Sequence, residues 1–176
     1  VIDDRTGSGD KAVAGDDWSN AVAGDGGSSI AHDIVTDLSN SRNDDIFTGG
    51  GSKDTLGIQP GPWLNTTSKP QAKDDITHAF AAMYTDKATG DSILYCGLDR
   101  YDNSGDAQQG LWLFQNPVSL GTTPGGGGFT FNGAHTDGDL LIISDFSNGG
   151  TTSTISLYTW DSSVSGNLRL LASSDD

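Results

Sequence analysis

The segment SILYCGLDRYDNSGDAQQGLWLFQ, residues 92–115, decides the fold class. It opens with an apolar run, SILYCGLDRY (92–101). It breaks into the polar loop DNSGDAQQ and resumes as GLWLFQNPV (110–118). Each apolar piece is short, carries β-branched or aromatic residues, and is bounded by Gly, Asp or Asn. Strands and their turns are written this way. No apolar stripe with a 3.6-residue period runs through the segment, so neither piece reads as an amphipathic helix. Strand, loop and strand in succession predict an antiparallel meander.

The same grammar extends outward. Upstream, THAFAAMYTD (77–86) fits a strand, or a short helix capped by Asp74 or Asp75, and KATGD (87–91) fits a hairpin turn. Downstream, GTTPGGGGFTFNG (121–133) reads as a flexible connection into a short strand at Phe129–Phe131. GDLLIISDF (138–146), STISLYTWD (153–161) and NLRLLAS (167–173) are three more strands. DDIFTGGGSKD (44–54) reads as a strand running into a glycine loop. No P-loop Lys-Ser pair or helix follows that loop, so a turn is expected rather than a phosphate cradle. QPGPWLNTTSKPQA (59–72) is punctuated by Pro60, Pro62 and Pro70 and reads as an irregular surface loop. IAHDIVTDL (30–38) fits a strand or a helical turn. The sum is an all-β chain with little helix, expected as an antiparallel two-sheet β-sandwich of jelly-roll or lectin-like type. Residues 1–29 are expected to be a Gly/Asp-rich arm or edge segment, and 30–176 a single sandwich domain.

Composition narrows the function. The 176 residues hold 24 acids, every one of them Asp, against 9 Lys and Arg, for a net charge of -15. Asp disfavours helix interiors and prefers caps and turns, so a Glu-free acid inventory belongs to a loop-rich β protein. The charge argues against nucleic acid, whose phosphates need clustered cations, and against anionic membranes. No apolar run reaches the length of a membrane span. Cys96 is the single cysteine, so there is no internal disulfide, and its ILYCGL setting reads as a buried strand position. The Gly/Ser/Thr/Asp-rich surface points to an extracellular or cell-surface protein. A chain starting at Val1 points to a mature or excised product.

The strongest candidate for chemistry is LDRYDNSGDAQ (98–108). Asp102, Ser104 and Asp106 fall at alternate positions, with Asp99 and Asn103 close by and Gly105 for the bend. Hard oxygens gathered in one tight loop are what calcium takes. Asp54, Asp74 and Asp75, at loop–strand junctions, complete the candidate ligand set. The bland alternative is a solvated hairpin tip whose Asp and Asn satisfy their own backbone. A second one replaces the metal by ion pairs to Lys53, Lys73 and Arg100. His135, Asp137, Asp139 and Asp145 form a second acidic group, readable as a transition-metal site or as a turn before a strand. Trp63, in the Pro-rich loop, is the candidate for stacking on a sugar ring. Trp112 and Trp160 sit in strands and read as core, while Trp18 reads as a docking anchor. No G-x-S-x-G elbow is present, so a hydrolase would need a triad assembled in space.

The blocks FTGGGSKD (47–54), KDDITHAFAAMYTD (73–86), ILYCGLDRYDNSGDAQQGLWLFQ (93–115) and GDLLIISDFSNGGTTSTISLYTWD (138–161) carry a resemblance. Over residues 44–171 the chain resembles an uncharacterised domain recurring in large secreted bacterial surface proteins. Cys96 stands where that domain tends to have an aromatic. The resemblance implies a surface location and no particular activity.

Together these features lead to the expectation of a non-enzymatic, calcium-stabilised structural or adhesive β-sandwich at the cell surface or in a filament. Its expected partners are copies of itself or neighbouring surface-protein domains. A carbohydrate-binding module with glycan partners is the alternative.

Overall fold

The computed structural model describes residues 29–49, 57–58, 63–147 and 152–175. Among them there is no helix, and hence none long and apolar enough to cross a membrane. The strands are β1 (Ala31–Thr36), β2 (Asp44–Thr48), β3 (Leu64–Ser68), β4 (Ile76–Thr85), β5 (Ser92–Arg100) and β6 (Ala107–Leu113). They continue with β7 (Ser119–Pro124), β8 (Phe129–Asn132), β9 (Leu140–Ser147), β10 (Thr152–Trp160) and β11 (Leu168–Asp175). All pairings are antiparallel. The all-β expectation holds, with three sheets rather than two. The expected arm at 1–29 lies, except for Ser29, outside the described residues.

The chain divides into two compact units. One comprises the chain up to Ser39 with Ile76–Arg100, the other Asn40–Asp75 with Tyr101–Asp176. The first unit carries the sheet β1-β4-β5. Alanine-rich HAFAAM is a strand because β4 is paired along both sides, and tertiary pairing overrides local propensity. The KATGD turn forms as expected. Asp86 donates its N–H to the Asp91 carbonyl at 2.8 Å and accepts the Ala88 N–H on its carboxylate at 2.7 Å. Gly90 supplies the positive φ. Phe80 lies across Gly97, its cross-strand partner, where a Cβ would sit 2.7 Å from the ring.

The second unit holds two four-stranded sheets, β2-β3-β8-β7 and β11-β10-β9-β6. The hairpins β9–β10 and β10–β11 follow the expected meander. Three expectations are corrected. First, β5 and β6 do not pair: β6 joins β9, while β5 stays with β4. The loop between them is drawn off instead, because the N–H groups of Tyr101 and Asp102 go to the carbonyls of Asp75 and Ala72. Second, the segment taken as irregular loop contains β3. Its alternating Asn and Thr residues fit a pleated ribbon, and the Asn65 amide donates to the Phe129 carbonyl at 2.8 Å. Third, the glycine-rich connection is a hairpin with its own strand, β7. Its register shifts between Leu120 and Pro124, where residues 121–123 face Thr130 alone.

The core of this unit gathers Trp160, Leu141 and Ile143 from one sheet, Phe131 from the other, and Ile58. Gly57, with φ +61, passes close to three rings: a Cβ there would lie 3.4 Å from Trp112 Nε1, 3.8 Å from His135 and 3.9 Å from Trp63. Along β11 the register slips by one residue. Leu170 opposes Tyr158 and Ala172 opposes Leu157, leaving Leu171 as a bulge.

Candidate functional site

The loop 101–106 is fastened to the turn before β4. Tyr101 donates its N–H to the Asp75 carbonyl at 2.8 Å, and Asp102 to the Ala72 carbonyl at 3.1 Å. The Lys73 ammonium donates to the Asp106 carbonyl at 3.1 Å. Asp102 also accepts the Ser104 N–H at 2.8 Å, a local Asx turn that Gly105, with φ +72, completes. Five of the expected metal ligands (Asp102, Asn103, Ser104, Asp106 and Asp75) therefore lie on segments that touch, and Asp74 sits in the same turn.

Asp75 differs from the rest of this group. Its residue is 1% exposed, whereas Asn103, Ser104, Asp106 and Asp74 are exposed. One carboxylate oxygen accepts the Asn40 N–H at 2.7 Å. The other, Oδ1, is buried and has no hydrogen-bond partner among the described residues. A buried carboxylate oxygen left bare is costly, so it invites a cation.

Asp99 stands apart. It belongs to the first unit and is engaged on β4. It accepts the Thr77 hydroxyl, and His78 Nδ1 lies 3.0 Å from each of its oxygens. Slight burial pushes its carboxyl up, but the hydrogen bonds from Thr77 and His78 and the charge of His78 outweigh that and hold it below the usual value of 3.8. Asp54 lies outside the described residues. Among the described residues, no three His, Cys, Asp or Glu side chains come together as a group that could hold a metal.

The second acidic group forms the turn before β9. The side chains of His135 and Asp139 are 0% and 1% exposed, with 3.5 Å between Nδ1 and Oδ2. The Asp139 carboxylate accepts the N–H groups of Gln115 at 2.9 Å and Thr136 at 3.0 Å. Asp137 caps the next loop by accepting the Ser162 N–H and hydroxyl. His135 is packed among Trp112, Phe114 and Trp160. Asp145 lies on β9 itself, where the Gln108 amide reaches its carboxylate at 3.5 Å. Asp137 and Asp139 thus hold backbone in place.

Trp63 is half-buried. Phe47 packs against it with ring centroids 5.3 Å apart and is itself 53% exposed. Phe47 and Phe131 make an edge contact at 5.2 Å; exposed Leu120 on β7 opposes Phe131, and exposed Phe129 lies two residues before it on β8. Sequence inspection missed Phe47. The signal was its strand parity: Phe47 pairs with Asn65, two positions from Trp63, so both rings share a face. Cys96 is half-buried on β5, and burial raises its thiol above the usual 9.0.

Comparison with protein-family models, with curated proteins and with solved structures found no match.

Proposed function

We propose that the protein is a non-catalytic, extracellular structural or adhesive module, stabilised by calcium, that binds copies of itself or neighbouring domains of a surface protein. We take its second unit to be a β-sandwich of jelly-roll or lectin-like type. The observation that carries this is how its buried carboxylates are used. Asp139 and Asp75 lie out of solvent and hold the backbone N–H groups of Gln115 and Asn40, each from a distant segment. The side chains of His135 and Asp139, the pair that most resembles catalytic machinery, are 0% and 1% exposed, which favours a structural role. Carboxylates used as fasteners belong to a scaffold. A net charge of -15 adds self-repulsion that a divalent cation would relieve.

The test is thermal melting of chelator-stripped protein with and without calcium, paired with sedimentation at high concentration. Calcium is expected to raise Tm and to favour association. An identical melt in EDTA removes the calcium part, and a monomer at all concentrations removes self-association. Exposed Phe47 beside Trp63 favours glycan binding as a second function, since apolar ring faces stack on sugars. That function predicts glycan-array hits lost in Trp63→Ala with the fold intact.

A further inference from the structure

The geometry points to a single calcium seat centred on Asp75, and we propose that its bare Oδ1 and oxygens of the 101–106 loop hold the ion. This rests on the calcium stabilisation proposed above and gives it an address. Three observations within the second unit support this seat. Oδ1 is buried and unpartnered while Oδ2 is fixed by the Asn40 N–H, so the carboxylate has one oxygen to offer and a set orientation. The loop bearing Asp102, Asn103, Ser104 and Asp106 is fastened to the Asp75 turn by backbone bonds from Tyr101 and Asp102. Both segments, QAKDD (71–75) and YDNSGD (101–106), offer only oxygen ligands and no His or Cys, which selects a hard cation over a transition metal.

Asp75 also occupies a particular place in the connectivity. The chain enters the second unit at Asn40 and at Tyr101 and leaves it after Asp75. Asp75 binds the N–H of both entry residues, one on its carboxylate and one on its carbonyl. An ion on Oδ1 would tighten the one residue that gathers all three crossings of the chain.

Among the described residues no three acidic side chains group here, so the ion would rely on one buried carboxylate supplemented by neutral oxygens. Few charged ligands mean weak binding, with Kd of about 0.1–1 mM, as in extracellular calcium modules. At calcium about twenty times Kd, mass action predicts a Tm rise of roughly 5 °C.

The experiment is a calcium titration of the chelator-stripped full chain, followed by amide nitrogen–proton NMR and by calorimetry. The largest saturating shifts are expected at the amides of Asn40, Tyr101 and Asp102. Asp75→Asn is expected to weaken calcium binding at least tenfold, with Asp91→Asn, in the exposed hairpin turn, unchanged. Saturating shifts centred elsewhere, or unaltered affinity in Asp75→Asn, overturn the Asp75 seat and leave calcium stabilisation standing. No response up to about 10 mM calcium, well beyond the expected Kd, removes both. If Asp75→Asn does not fold, the shift map of the unsubstituted protein decides alone.

Discussion

His135 lies nearly flat on Trp160, their ring centroids 4.0 Å apart and their planes 16° from parallel. A fully enclosed imidazole is thus part of an aromatic core that also includes Trp112 at 4.2 Å from it. Trp160 closes β10, and its N–H donates to the Asp139 carbonyl at 2.8 Å, so the stack and the Asp139 turn stand or fall together.

Trp160→Ala should therefore cost about 3–5 kcal/mol, the range for emptying a large aromatic site in a core. Urea unfolding measures it. A loss under about 1 kcal/mol would show that the stack is not structural.

Two glycines separate rigid from yielding crowding. A Cβ on Gly121 would lie 2.0 Å from the Thr130 carbonyl oxygen, a backbone atom that cannot step aside. A Cβ on Gly97 meets the Phe80 ring at 2.7 Å, and that side chain can swing. Gly121→Ala should cost about 3 kcal/mol or more and Gly97→Ala about 1 kcal/mol, the span that overpacking covers. Chemical denaturation of the pair checks the order, and equal losses would contradict it.

Asp99 gives a pH dependence whose sign is fixed. Its carboxyl sits below 3.8 in the folded state, so its contribution is present above that value and fades as pH falls through the lower, folded one. The side chain is 56% exposed, so the contribution is small and screened by salt. Carbon-detected NMR titration should place the Asp99 midpoint below 3.8, rising towards it in Thr77→Val and in His78→Ala. A midpoint that ignores both substitutions would contradict the assignment.

Most strands could be read from the chain because each is an apolar block between Gly, Asp and Asn. Their partnership could not. β5 and β6 are separated by a loop short enough for a hairpin, yet Tyr101 and Asp102 bond to Asp75 and Ala72, contacts between segments far apart in sequence. β3 and β7 were hidden because Thr, Asn, Gly and Pro signal turns when read locally, and only cross-strand bonds such as Asn65 to Phe129 make them ribbons. The aspartates show the same limit. The loop 101–106 and the turn 71–75 are both acidic in the sequence, and the structure joins them. That Asp75 would be buried, while Asp99 would be held by Thr77 and His78, depends on packing that no local pattern encodes.

The unpaired Leu171 bears on how this molecule behaves in a crowd. β11 is the last strand of its sheet, uncharged from Leu170 to Ser174, and no strand among the described residues pairs with its outer edge. Such an edge ordinarily recruits foreign strands and seeds fibrils. One supernumerary residue in its middle shifts the rhythm of donors and acceptors, so an incoming strand can match one half of β11 or the other, not both. The protein can therefore leave a greasy flank open to solvent while denying it the continuous ladder that runaway aggregation requires.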